Sequence, residues 1–300
     1  MRYAAIDIGS NAVRLLIADI IELNTISFKK NTLIRVPLRL GDDAFLDKRI
    51  SARKAADLVK TMAAFRHLMD VYKVSDYLAC ATSAMREAEN GELIAQKIRT
   101  ETSINLEIVE GDREAQIIYA AHIERTLDKR KNYLYIDVGG GSTELSIFSG
   151  GEMVASHSFN IGTIRILDNR DDDQDWIAMK EFVKEHARQF KGFCGIGTGG
   201  NINKLFRLSE EKEGAALSFA KLNKLYAYLE SFSLRDRIHV LGLNQDRADV
   251  IIPACQIYTS VMKWGNVKEI YVPKTGLVDG VIQLLIEKNF RQTDHLALDK

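Results

Sequence analysis

A carboxylate at the end of an apolar run, followed by a turn of small residues, occurs twice in this chain of 300 residues. Ile6-Asp7-Ile8-Gly9-Ser10-Asn11-Ala12-Val13-Arg14-Leu15-Leu16-Ile17 lies over Ile136-Asp137-Val138-Gly139-Gly140-Gly141-Ser142-Thr143-Glu144-Leu145-Ser146-Ile147 without a gap. Gly and Ser in a tight turn let backbone N–H groups approach a phosphate closely. A carboxylate beside such a turn can hold Mg²⁺, which keeps several waters and binds through one or two carboxylates plus phosphate oxygens. Two such loops, one in each half, can close on one phosphorylated ligand from two sides. A Gly-rich turn with incidental charges explains either loop alone; the repetition in equivalent places argues for a ligand.

Three other stretches could carry chemistry. Gly197-Thr198-Gly199-Gly200-Asn201 is a further Gly-rich strand exit, read equally well as a plain turn before Ile202–Leu208. Arg86, in Ala81-Thr82-Ser83-Ala84-Met85-Arg86-Glu87, follows a buried strand and could meet a phosphate bidentately, or pair with Glu87 or Glu89. Glu114 opens a helix after Glu110-Gly111-Asp112-Arg113, where helix termini favour acids in any case. The six histidines are scattered singly, in no metal or triad pattern.

These residues need elements to position them. Strand patterns run over Tyr3–Ile8, Val13–Ile21 and Ser27–Leu40, the last broken by Asn31 and Pro37. A helix is predicted over Ser51–Tyr72, with Ser51 as its N-cap. Asp76–Ala81 reads as a strand, Thr82–Arg86 as its exit loop, Asn90–Thr100 as a helix, Ile104–Val109 as a strand and Asp112–Leu127 as a long helix. The pattern then restarts. Tyr133–Val138, Leu145–Phe148 and Met153–Phe159 read as strands, with Gly150-Gly151 as a hairpin turn. An acidic loop at Asp171–Asp173 precedes a helix over Trp176–Phe190 and a short strand at Phe193–Ile196. Helices over Leu217–Leu229 and Arg247–Trp264 (kinked at Pro253), a strand at Ile270–Pro273 and a terminal helix over Gly276–Asn289 complete the chain. Such alternation is the mark of an α/β architecture. A hinge is expected near Leu127–Lys131.

Lys+Arg and Asp+Glu both total 41, so no bulk field attracts nucleic acid, and a polyanionic substrate needs a local basic pocket. Cys80, Cys194 and Cys255 show no metal-ligand spacing and read as reduced thiols of a cytoplasmic protein. No apolar run approaches the ~20 residues that span a bilayer, and no signal peptide is visible. Neither nucleic acid nor a membrane is an expected partner.

Asp7-Ile8-Gly9-Ser10-Asn11, Ala81-Thr82-Ser83-Ala84-Met85-Arg86-Glu87-Ala88, Gly111-Asp112-Arg113-Glu114-Ala115 and Asp137-Val138-Gly139-Gly140-Gly141-Ser142-Thr143-Glu144 follow, in order and spacing, the pattern of one family. The chain resembles the exopolyphosphatase/guanosine pentaphosphate phosphohydrolase family, of the actin/hexokinase/Hsp70 superfamily. Gly197-Thr198-Gly199-Gly200, Arg247-Ala248-Asp249 and Thr275-Gly276-Leu277 extend the resemblance. It implies two ribonuclease-H-like domains flanking a cleft, here 1–127 and 128–300, and allows the C-terminal helix near 288–300 to pack back on the first. At this length the chain is similar to the family's short form.

The resemblance also assigns roles. Glu114 corresponds to the catalytic glutamate that orients and deprotonates the attacking water, and Arg86 neutralises charge on the transferring phosphoryl group. Asp137 and Glu144 correspond to ligands of Mg²⁺, with Mn²⁺ as the alternative, and Asp7 joins them through a water. Gly9, Ser10, Asn11, Arg14, Ser83, Gly139, Gly140, Gly141, Ser142, Thr143 and Gly199 form the implied phosphate-binding set. Glu144 in one copy stands where Arg14 stands in the other, which makes the second a metal loop and the first a phosphate loop. Two positions depart from the family pattern: Ala12 replaces a serine, and Val278 an arginine in Gly276-Leu277-Val278-Asp279-Gly280. The implied activity is hydrolysis of the terminal phosphoanhydride of inorganic polyphosphate, with guanosine pentaphosphate as the alternative substrate. An acceptor-dependent small-molecule kinase and a non-catalytic phosphate sensor are more distant readings. Family members are often dimers, so the resemblance allows a homodimer.

Overall fold

The repeated phrase folds, in each copy, as an antiparallel hairpin inside a β-sheet. Its structure here is a computed structural model that describes residues 1–22, 26–119, 128–190, 192–273 and 275–297. The chain divides into two compact units, Met1–Ile123 with Thr275–Lys300, and Glu124–Lys274.

In the first unit, β1 (Arg2–Ile8) pairs antiparallel with β2 (Val13–Glu22), and β2 with β3 (Ile26–Val36). After α1 (Leu40–Leu46) and α2 (Ala52–Val71), β4 (Asp76–Ala81) joins β1 in parallel. Then come α3 (Ser83–Glu87), α4 (Gly91–Thr102), β5 (Leu106–Ile108), parallel to β4, and α5 (Gly111–Tyr119). The strand order is β3-β2-β1-β4-β5.

The second unit repeats the plan. The hairpins β6 (Tyr133–Val138), β7 (Thr143–Ser149) and β8 (Glu152–Phe159) are antiparallel. After α6 (Thr163–Leu167) and α7 (Asp173–Gln189), β9 (Cys194–Thr198) lies parallel to β6 and leads into α8 (Gly199–Leu208). Next are β10 (Ala216–Ser218), α9 (Phe219–Glu230), α10 (Leu234–His239), α11 (Gln245–Ala248), α12 (Ile251–Trp264) and β11 (Glu269–Tyr271). The order is β10-β11-β9-β6-β7-β8, the first sheet's plan with one antiparallel edge strand added. Both are ribonuclease-H-like sheets, as the resemblance implies. The last helix, α13 (Leu277–Ala297), belongs to the first unit and buries Leu277, Val281, Ile282, Leu285 and Ile286 there.

Several local expectations are corrected. The third strand stops at Val36, because Pro37 cannot donate to a ladder; Leu40 starts α1 instead. Thr82–Arg86 is not a loop but mostly the short helix α3. The acidic loop is a helix start: the Asp172 side chain accepts from Gln174 N and caps α7. Leu217 lies in β10, and the helix begins after its cap Ser218. The helix expected over Arg247–Trp264 is two, parted at Asp249-Val250. Pro253 makes no kink because it sits in the first turn of α12, where its missing N–H has no helical acceptor. Ser51 caps α2 as expected, accepting from Lys54 N. The expected hinge and the end of the Asp112–Leu127 helix fall partly on residues 120–127, outside the described residues. No described helix is long and apolar enough to cross a membrane.

Candidate functional site

The two repeated loops have the same turn. Gly9 N donates to Ala12 O at 3.1 Å, and Gly139 N to Ser142 O at 2.9 Å. A Cβ on Gly9 would lie 3.2 Å from Ala12 O, and one on Gly139 3.1 Å from Ser142 O, so both positions crowd any side chain. The carbonyls behind each turn are held by the segment that follows the sheet's third strand. Arg39 N donates to Asn11 O and Gly41 N to Ser10 O. In the second copy Thr163 N donates to Gly139 O, Ile164 N to Gly140 O, and the buried Arg165 Nε to Gly141 O at 2.6 Å. With their carbonyls turned into the fold, the loops have amides left to offer an anion. Gly162 permits the second arrangement: its Cβ would stand 2.3 Å from Gly140 O.

In the first unit Asp7 is buried and directly faces Arg14, with Arg14 Nη1 2.6 Å from Asp7 Oδ2. Burial pushes the Asp7 carboxyl up, and the charge and hydrogen bond of Arg14 only partly offset it. Arg14, expected to face phosphate, thus has a carboxylate partner, and Asp7 has a cation. Ser10 Oγ and Ser83 Oγ are 2.9 Å apart, which ties the first loop to α3. Arg86, also on α3, donates to Val109 O at 2.7 Å and lies 3.8 Å from Glu110, rather than on Glu87 or Glu89. Glu114 is half-buried in the first turn of α5, its N–H donating to Glu110 O. Cys80 stands beside Asp7 in the β1–β4 register. Its thiol is pushed up to about 12 by burial, then by Glu107, Asp7 and Glu114, against Arg113. Asp7 thus faces Cys80 across the β1–β4 register, and Glu114 is the weakest of the charges acting on that thiol.

In the second unit Asp137 and Glu144 are direct cross-strand partners, so their side chains share a face of the sheet. The register continues the row on both sides, to Ser158 on β8 and Thr198 on β9. Glu144 is buried and accepts from Ser158 Oγ at 2.9 Å; Asp137 is more open. Gly199, at φ +89°, makes room for the Asp137 carboxylate, since a Cβ there would be 2.6 Å from Oδ1. Thr143, expected to meet phosphate, is fully buried and donates instead to Ile161 O at 2.6 Å, while Ser142 is buried at the turn's end. Ser158, Gly162 and Arg165 were not expected from the sequence, and Thr198 stood in its Gly-rich strand exit without an assigned role.

Among the described residues no three His, Cys, Asp or Glu side chains gather as a ready metal cage. Asp7 lies in one unit, and Asp137 and Glu144 in the other. A Mg²⁺ that keeps its waters does not need three: two hard carboxylates on one face, beside a glycine turn, fit its requirements.

The family model for Ppx/GppA phosphatases matches residues 27–289. The chain belongs to the Ppx/GppA phosphatase family. Membership indicates a phosphoanhydride hydrolase. Among curated relatives, the chain is 28% identical to the bifunctional 3-dehydroquinate synthase/phosphatase of Fusobacterium nucleatum, over 93% of its own length. It spans less than half of that relative (46%). It is 25% identical to exopolyphosphatase 1 of Mycobacterium leprae, over 99% of this chain and 92% of that one. Among solved structures, an exopolyphosphatase from Cytophaga hutchinsonii superposes with a TM-score of 0.84 at 24% identity, over 96% of this chain and 98% of that one. The Aquifex aeolicus member of the Ppx/GppA family superposes with a TM-score of 0.76 at 23% identity, over 96% and 98%. These two show the fold, an α/β chain of the actin-like ATPase type with two sheets.

Proposed function

We propose that this chain is a divalent-cation-dependent exopolyphosphatase: it hydrolyses the terminal phosphoanhydride of inorganic polyphosphate and releases orthophosphate. The observation that carries the reading is the in-register Asp137–Glu144 pair beside a glycine turn whose carbonyls are tied down. Family membership supports it, as does the similarity to relatives named exopolyphosphatases along most of their length.

In this reading Asp137 and Glu144 would hold Mg²⁺ or Mn²⁺, while Asp7, in the other unit, is paired with Arg14. The cation, when bound, neutralises phosphate charge and offers a fixed point for the phosphate oxygens. Gly9 N and Gly139 N close their own turns, so the amides of Ser10–Asn11 and Gly140–Ser142 are the ones this reading assigns to phosphate, aided by Ser83 and Gly199. Glu114 orients a water and takes its proton as the water oxygen bonds to the terminal phosphorus. The bond to the bridging oxygen breaks, and the shortened chain leaves with the electron pair. Arg86 offsets the charge on the transferring group; in such loose transition states positioning and electrostatics do most of the catalysis.

A substrate panel at fixed Mg²⁺ tests the proposal. Phosphate release from polyphosphate that stops on chelation and returns with added Mg²⁺ is expected. Release from guanosine pentaphosphate alone would move the substrate to the alarmone, and release from neither would end the reading.

A further inference from the structure

Thr198 is fully buried, yet among the described residues its hydroxyl has no hydrogen-bond partner. Buried hydroxyls are normally paired, and a valine would fill the same volume without an unmet polar atom. Its surroundings point to a partner outside the protein. Thr198 ends β9 opposite Asp137, in the row Ser158–Glu144–Asp137–Thr198. Its carbonyl accepts from Tyr258 Oη at 3.0 Å, and Asn201 Nδ2 reaches Val138 O at 3.2 Å, so the turn into α8 is fixed against β6. Gly199, the next residue, gives way to the Asp137 carboxylate. Ser158 serves Glu144 from one end of the row; at the other end a hydroxyl stands beside Asp137. The corresponding place beside Asp7 holds Cys80, a weaker hydrogen-bonding group.

We infer that Thr198 is a positioning residue of the Asp137–Glu144 site, its hydroxyl hydrogen-bonding a water carried by the divalent cation held there. This rests on the proposed cation-binding role of that pair. Mg²⁺ and Mn²⁺ keep waters whose orientation depends on such outer partners, and loss of one costs roughly 10–100-fold in metal affinity.

Mn²⁺ binding to the full chain without substrate, followed by the electron paramagnetic resonance of free Mn²⁺, tests the inference. Thr198→Val should bind Mn²⁺ about 10-fold more weakly than the wild type. Its melting temperature without metal should be no lower, because only an unmet hydroxyl is removed. Thr198→Ser should restore the affinity. If Thr198→Val fails to fold, Thr198→Ala makes the same comparison. Unchanged affinity in the variant lacking the hydroxyl, while Asp137→Asn loses binding, overturns the inference and leaves the cation site standing. Thr198→Ser binding as weakly as Thr198→Val also overturns it, since the methyl would then matter. Asp137→Asn binding like the wild type removes the cation site itself, and the inference with it.

Discussion

Asp7 and Asp137 occupy the same place in two copies of one turn but meet opposite partners. Arg14 covers Asp7, whereas Asp137 faces Glu144 across the same kind of hairpin. The sequence shows Arg14 and Glu144 in equivalent places, and the expectation there turned Arg14 to a phosphate; the hairpin register, closed by the same tight turn, sets it against Asp7 instead. Ser158 was not legible in the sequence. Counting back from the Gly150-Gly151 turn pairs Glu144 with His157, but a bulge between Ile147 and Phe148 shifts the register and brings Ser158 opposite. Nothing in the residue types announces that extra residue. Gly199 gives a prediction about a single side chain. Gly199→Ala puts a Cβ against Asp137 Oδ1 at a positive φ. Steady-state kinetics should show kcat/KM reduced by about 10²-fold, the cost of misplacing a catalytic group by about 1 Å. Wild-type kinetics in this variant would detach Asp137 from the reaction.

The elements divide into those that hold sites and those that only hold the fold. Gly280 of α13 meets the backbone of α5 so closely that a Cβ would lie 1.8 Å from Ile117 O. Ile117 follows Glu114 on the same helix by three residues, so α13 sets where α5 sits. Gly280→Ala should cost about 1–3 kcal/mol of stability, and kcat should fall more than KM rises, since Glu114 moves with α5. A denaturation curve and a kcat–KM pair check both. Ser51→Ala is the contrast: removing the α2 cap should cost about 1 kcal/mol and leave kinetics alone. Long elements such as α2 were legible through periodicity and caps. The five-residue helices α3 and α6 were not, because a single turn carries too little periodicity to stand out.

The chain as a whole returns its C-terminal helix, Leu277–Ala297, to its first unit, an arrangement the family resemblance allowed and composition did not suggest. Asp76 on β4 takes hydrogen bonds from Asn289 at 2.9 Å and Lys288 at 3.1 Å on α13. Burial raises the Asp76 carboxyl, but these bonds outweigh it and hold the group below its usual value. A depressed carboxylate contributes stability above its unfolded pKa and loses it as pH falls through the folded one. The wild type should therefore lose melting temperature below about pH 4 more steeply than Asp76→Asn. Parallel acid limbs would show that this tie contributes nothing. The most direct test of the proposed activity is Glu114→Gln, measured for both polyphosphate binding and phosphate release at saturating Mg²⁺. Unchanged binding with release reduced by about 10²–10⁴-fold is expected if Glu114 activates the attacking water. Release at the wild-type rate would contradict that role.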